Sequence, residues 1–157
     1  MNYAHIHLLL NHGPVLGTGF AFLVLAWGIV RRNTEVLRTA LLLFVLVALV
    51  SNATYLVGEP AGDMMEKLGL SRAAIDRHDD AAEIALTVME MLGAVSLAGL
   101  IMFRRREMPR WFVSATLLLC LIAGGLMLRT ASLGAQMRHP ELGKAAPSPA
   151  LLPVNRE

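Results

Sequence analysis

The chain has 157 residues, of which 55% are hydrophobic and 17% are charged. This apolar composition at this length is typical of one small membrane domain and argues against a soluble globular protein. The formal net charge is only +2, and the basic residues lie beside apolar stretches, so we do not expect nucleic-acid binding.

Four apolar stretches predict four membrane-spanning helices, because about 20 helical residues cross a hydrocarbon core of about 30 Å. The first helix either begins near Tyr3 and kinks at Pro14 or begins afresh with Pro14 in its first turn, and we favour the kink. We expect an all-α four-helix transmembrane bundle of up-down topology over residues 1–142, then a disordered external tail over 143–157. No tandem repeat is visible. The predicted spans cover residues 13–30, 36–57, 79–103 and 110–135.

Arginines are concentrated in two of the three loops between these spans. Lys and Arg in short loops stay cytoplasmic, so these two loops predict the inner side of the membrane. Both termini and the loop between the second and third spans are then external. We therefore expect a multi-pass protein of a bacterial inner membrane, surrounded by the lipid bilayer. The arginines are Arg31, Arg32 and Arg38 in the first cluster and Arg104, Arg105, Arg106 and Arg110 in the second.

All five histidines fall outside or at the rim of the apolar stretches, on the predicted external side. His12 heads the first helix and His78 heads the third, and these helices can be diagonal in the bundle. Two facing imidazoles are the arrangement that binds a b-type haem iron from both sides. His7 and His139 are substitute ligands, and Arg129 is a charge-assisted donor to a haem propionate. The same histidines are alternatively ligands for Cu²⁺ or Zn²⁺.

Polar residues on the third helix recur at helical spacing and form one seam that descends into the bilayer. We expect Glu83 and Glu90 to face the bundle interior, because an ionisable group at that depth normally has a partner there. Arg129 on the fourth helix is the expected partner of Glu83. In a redox protein, Glu83 and Glu90 would carry quinol protons.

Four short motifs stand out along the chain, His5–Gly17, Gly58–Ala61, His78–Glu83 and Arg138–Glu141. They resemble those of small bacterial four-span membrane proteins akin to the DUF2231 group, and the resemblance spans nearly the whole chain up to Leu142. Members of that group are suspected of holding b-type haem or of serving as redox modules, so the resemblance implies a redox role.

These patterns favour a membrane electron-transfer subunit that binds b-type haem. Such a subunit would pass electrons between the quinone pool and a periplasmic redox protein, and it would be at most a redox subunit of a larger oxidoreductase. The alternative is a non-catalytic accessory subunit of a larger respiratory or photosynthetic membrane complex, with or without a histidine-bound metal. A transporter is a third hypothesis, although four spans are few and no broken-helix pair is evident.

Overall fold

Six helices and no strands make up the part of the chain that the computed structural model describes, residues 3–138. Four helices, those that contain α2, α3, α5 and α6, are each long and apolar enough to cross a membrane. For the described residues, this confirms the prediction of an all-α structure with four helices of membrane-spanning length. His139 and the predicted tail over 143–157 lie outside the described residues. The helices are α1 Tyr3–Leu10, α2 His12–Arg31, α3 Thr34–Leu56, α4 Gly58–Lys67, α5 Arg72–Met102 and α6 Arg110–Arg138.

The N-terminal region forms two helices rather than one. α1 ends at Leu10, and α2 begins at His12 with Pro14 in its first turn. Asn11 between them keeps helical dihedrals (φ −63°, ψ −22°), and its N–H donates to the carbonyl oxygen of His7 at 2.8 Å. The division lies three residues before Pro14, whose missing N–H interrupts the hydrogen-bond ladder, as the favoured kink at Pro14 predicts. Because the helix is interrupted between His7 and His12, the seven-residue spacing of His5 and His12 no longer shows that these two residues share a helix face.

A two-residue turn joins α2 to α3. Arg32 adopts the left-handed conformation with φ 49°, and Asn33 caps the next helix. The Asn33 Oδ1 atom accepts hydrogen bonds from the backbone N–H groups of Glu35 and Val36, at 2.9 and 3.2 Å. These bonds satisfy two of the donors that a helix N-terminus leaves free. The chain thus reverses direction within one short turn.

Small residues bring α2 and α3 into close antiparallel contact. A Cβ atom added at Gly17 would lie 2.8 Å from Cγ2 of Val47, and one added at Gly28 would lie 2.8 Å from Cδ2 of Leu37. Residues late in α2 therefore face residues early in α3. Close approach of this kind supplies the van der Waals contact that holds helices together in lipid.

The four long helices surround one apolar core in the cyclic order α2–α3–α5–α6. α3 packs along α5 and α5 along α6, whereas α2 packs less extensively along α6. The largest apolar side chains that are fully buried come from three of the four helices, and Cys120 adds a smaller buried side chain from α6. They are Leu25, Leu41, Phe44, Met89 and Leu92.

The two hairpins α2–α3 and α5–α6 repeat each other in their buried positions. Every buried residue of α2 has a buried counterpart 71 positions later in α5, and four buried residues of α3 have one 76 positions later in α6. The offset grows because the turn 103–109 is five residues longer than the turn 32–33. The pairs are Pro14 and Ala85, Thr18 and Met89, Ala21 and Leu92, Leu25 and Ser96, Gly28 and Gly99, Ala40 and Thr116, Phe44 and Cys120, Val47 and Ala123, and Ser51 and Met127.

This repeat gives the bundle an approximate two-fold axis. Exchanging α2 with α5 and α3 with α6 leaves the cyclic order of neighbours unchanged. Since equivalent helices run in the same direction, the axis is parallel to the helices. In a membrane it would lie along the bilayer normal, as in transporters built from parallel repeats.

The two ends of the bundle differ in composition. The arginine end contains both hairpin turns, and the histidine end contains α1, α4 and the start of α5. At the arginine end, Nη2 of Arg38 donates to the carbonyl oxygens of Phe103, Arg104 and Arg106 at 2.8, 3.1 and 3.3 Å. This side chain joins the first hairpin to the turn 103–109 that follows α5, and it satisfies backbone carbonyls of that turn.

The packing predicts that Gly93→Ala destabilises the bundle. An added Cβ would lie 2.6 Å from Cβ of Ala48, and neither methyl group can move away by rotation, so α3 and α5 must separate. We expect a loss of about 1–3 kcal/mol, measured as a lower melting temperature in detergent. Gly19→Ala is the matched control, since a Cβ at Gly19 meets no atom within 4 Å. Equal melting temperatures for the two variants would contradict close α3–α5 packing.

Candidate histidine site

His7 is held at the histidine end by the last part of α3. Its Nδ1 atom lies 3.3 Å from the carbonyl oxygen of Thr54, so Nδ1 carries the proton and donates it. The ring is half-buried, and Gly58 leaves room for it: a Cβ at Gly58 would lie 3.5 Å from Cε1 of His7. The backbone of two neighbouring elements thus fixes both the position and the tautomer of this imidazole.

His78 has the equivalent environment in the second hairpin. Its Nδ1 atom donates to the carbonyl oxygen of Thr130 at 3.1 Å. A Cβ at Gly134 would lie 3.2 Å from Cε1 of His78, so a side chain there would displace the ring. Thr54 and Thr130, like Gly58 and Gly134, are 76 positions apart, and the two histidines are 71 apart. The repeat therefore reproduces the whole histidine environment.

The two imidazoles meet edge to face at the histidine end. Their ring centroids are 6.4 Å apart and their planes make an angle of 87°. Because each Nδ1 donates to a carbonyl, each neutral ring presents Nε2 as an acceptor. Among the described residues, neither Nε2 atom makes a hydrogen bond. The site therefore offers two oriented imidazole nitrogens to a ligand.

His12 has a different position from the one expected. Its side chain is exposed at the start of α2, and the ring that faces His78 is that of His7. His7 was expected only as a substitute ligand, because His12 heads the first predicted span and His78 heads the third. A sequence signal for the observed pair exists: a Thr followed four positions later by a Gly occurs near the end of the second and fourth spans, at Thr54 and Thr130.

Glu83 and Glu90 do not face the bundle interior, so this expectation is wrong. Both side chains are exposed on the outer surface of α5. Glu90 accepts a hydrogen bond of 2.6 Å from the side-chain amide of Asn52 on α3. Their proposed part in quinol proton transfer stays a prediction.

The expected ion pair between Glu83 and Arg129 is absent. Among the described side chains of residues 6–7 and 9–137, the ion pairs link Arg38 to Glu35 on α3 and Arg72 to three nearby carboxylates, and none includes Arg129. The Arg129 side chain is exposed on α6. The physical reason is geometric, because the polar faces of α5 and α6 both point away from the core.

Comparison with known proteins gives no assignment. No known protein family matches this chain. No curated protein and no solved structure matches it either. The resemblance to the DUF2231 group therefore stays a prediction, and the function has to be argued from the geometry of the described residues.

Burial changes the protonation of His7. Removal of the ring from solvent lowers its pKa below the ordinary value of 6.5, and the nearby His78 acts in the same direction. The hydrogen bond to the Thr54 carbonyl and the charge of Asp79 oppose this shift. The neutral ring, which is the form that binds metals, is thus favoured at neutral pH.

The lowered pKa of His7 predicts that the protein loses stability in mild acid. The unfolded chain takes up a proton near pH 6.5, whereas the folded chain does so only at a lower pH. The contribution of the neutral His7 ring to stability is therefore complete above the pKa of histidine in the unfolded chain. It is lost as the pH falls below that value. We expect the melting temperature to fall between about pH 8 and about pH 5, and to fall less in His7→Gln. His12→Gln is the exposed control, and an equal pH dependence in His7→Gln and the wild type would contradict the burial of His7.

Proposed function

We propose that the protein is a membrane electron-transfer subunit that binds the iron of a b-type haem between His7 and His78. The observation that carries this proposal is the pair of imidazoles, each fixed through Nδ1 by a helix carbonyl and each presenting Nε2. His12, the ligand expected from the sequence, is replaced by His7 in this assignment.

The number of ligands favours haem over a bare metal ion. Among the residues whose side chains the structure describes (6–7 and 9–137), no group of three or more His, Cys, Asp or Glu side chains is placed to hold a metal. Zn²⁺ sites normally use three or four protein ligands, whereas a b-type haem iron needs only two axial ones. The donor set therefore fits haem, and Cu or Zn is the alternative.

The chain's own residues would bind and orient the group. His7 and His78 would hold the iron through Nε2, and the carbonyls of Thr54 and Thr130 would keep the rings in the tautomer with the proton on Nδ1. Burial keeps His7 neutral and able to ligate at neutral pH. A bound haem would supply one-electron transfer. Exchange of electrons with the quinone pool and with a periplasmic protein is part of the same proposal.

The haem assignment predicts a visible spectrum and its loss in two variants. Purified protein should show the sharp reduced bands of a six-coordinate low-spin b-type centre. His7→Ala and His78→Ala should each abolish or broaden them, because one imidazole leaves the iron five-coordinate. Gly134→Leu should do the same by displacing the His78 ring. His12→Ala is the matched control and should keep the spectrum.

Two results would overturn the haem assignment. One is a folded wild-type protein that stays colourless after haem supplementation. The other is loss of the spectrum in His12→Ala with retention in His7→Ala, with circular dichroism showing that both variants are folded. A colourless protein free of stoichiometric metal would favour the accessory-subunit hypothesis instead.

The proposed function also places the histidine end outside the cytoplasm. The arginine clusters of the two hairpin turns support this orientation, because Lys and Arg in short loops are retained inside. Reporter fusions at Arg32 and Arg106 should behave as cytoplasmic, and a fusion at Gly69 should behave as external. A cytoplasmic reporter at Gly69 would reverse the orientation and place the histidine pair on the inner side.

A further inference from the structure

The cleft between α2 and α6 is open along much of its length, because these two helices pack less extensively than the other neighbours. Two cavities, of about 350 and 270 Å³, follow the cleft and share Phe22 and Leu121. The smaller one, which we call the inner cavity, lies nearer the arginine end. Its lining is entirely apolar, so it suits a hydrocarbon chain. The lining residues are Phe22, Ala26, Ile29, Val30, Leu117 and Leu121.

The packing of α2 on α6 brings two arginines to the same level at the end of the cleft. A Cβ added at Gly124 would lie 3.8 Å from Cγ2 of Thr18, so these residues face each other across the two antiparallel helices. Arg32 lies fourteen positions after Thr18, and Arg110 lies fourteen positions before Gly124. Equal steps in opposite directions therefore place Arg32 level with Arg110. Arg110 also precedes Leu117 by seven positions, so it shares the face of α6 that lines the inner cavity.

The inner cavity has the depth of one lipid leaflet. Phe22, at its far end, lies ten positions before Arg32, which is about 15 Å at 1.5 Å per residue. Half of a hydrocarbon core of about 30 Å is the same distance. Trp111, which directly follows Arg110, is exposed, as is typical of Trp residues at headgroup level. The two arginines thus lie at headgroup level, and the inner cavity extends from them to the middle of the membrane.

The pair of Arg32 and Arg110 has no carboxylate to neutralise it. Both side chains are exposed, and no ion pair among the side chains of residues 6–7 and 9–137 includes either of them. Arg110 is the first residue of α6, where the helix dipole disfavours a cation. A phosphate between the two guanidinium groups would accept charge-assisted hydrogen bonds from both. It would also remove the unfavourable charge at the start of α6.

We propose that this cleft binds one anionic phospholipid of the leaflet at the arginine end. The phosphate diester lies between Arg32 and Arg110, and one acyl chain fills the inner cavity. A zwitterionic phospholipid carries its own cation beside the phosphate, so the arginine pair favours a headgroup without one, such as that of phosphatidylglycerol. A nucleic acid or an acidic protein would use the arginines but not the apolar cavity below them. The bound lipid adds contacts between α2 and α6, and this inference is independent of the haem assignment.

The lipid dependence of stability tests the proposal. The full chain is delipidated in a neutral detergent, and its melting temperature is measured as phosphatidylglycerol or phosphatidylcholine with the same acyl chains is added. Phosphatidylglycerol should raise the melting temperature of the wild type, because a ligand that binds only the folded form stabilises it. Arg32→Gln and Arg110→Gln should each need about tenfold more of this lipid for the same rise. Arg105→Gln, which removes the same charge from the turn 103–109, is the matched control and should respond like the wild type.

Filling the inner cavity tests the position of the acyl chain. Ala26→Leu should keep the melting temperature of the delipidated wild type, since Ala26 borders open space, and should lose most of the response to phosphatidylglycerol. Ala98→Leu is the matched control, because Ala98 is exposed on α5 outside the cleft, and it should keep the response. This pair of variants leaves every arginine in place, so it tests the site even if an arginine variant does not fold.

Four results would overturn the proposal. An equal rise with phosphatidylglycerol and phosphatidylcholine would show that the headgroup charge is not recognised. An equal rise with inorganic phosphate would show an anion site that needs no lipid. The same loss of response in Arg105→Gln as in Arg32→Gln and Arg110→Gln would show a diffuse positive surface. A full response in Ala26→Leu would show that the acyl chain does not occupy the inner cavity.

Discussion

The bundle depends on close helix–helix contact at small residues. In lipid, apolar side chains gain little by moving from the membrane to a helix interface, so van der Waals packing has to supply the stabilisation. Gly28 packs on Leu37 in the first hairpin, and Gly99 packs on Phe112 in the second. These equivalent glycines set the distance between the helices of each hairpin near its turn. At the other end, a helix carbonyl holds each histidine ring, that of Thr54 for His7 and that of Thr130 for His78.

Comparison of equivalent positions in the two hairpins shows where the two sides of the bundle differ. The α3–α5 interface contains the hydrogen bond between Asn52 and Glu90, and the equivalent α6–α2 interface has Leu128 and Gly19 there. Polar side chains therefore fill the space between α3 and α5, whereas the equivalent space between α6 and α2 is a cavity. At the histidine end the repeat is retained, with the same residue types around His7 and His78. The two hairpins thus differ in residue type within the predicted spans but share the same residue types at the histidine end. This pattern suits a site at the histidine end, on the two-fold axis.

The sequence predicts the four spans well because span length and hydropathy are set by the bilayer rather than by the fold. It fails for Glu83 and Glu90, because periodicity identifies a polar face but not the direction in which that face points. It also fails for the histidine pair, since a break at Asn11 between α1 and α2 changes the relation of His7 to His12. The repeat escapes notice because only a few equivalent positions are identical and the two turns differ by five residues.

The hydrogen bonds from Arg38 to the turn after α5 bear on the order in which the protein is built. Arg38 is synthesised long before Phe103, Arg104 and Arg106, whose carbonyls it binds. Until the second hairpin has entered the membrane and reached the first, these turn carbonyls lack the guanidinium donor and depend on water or lipid headgroups. Assembly of the hairpins thus completes the hydrogen bonding of this turn with a side chain from the opposite half.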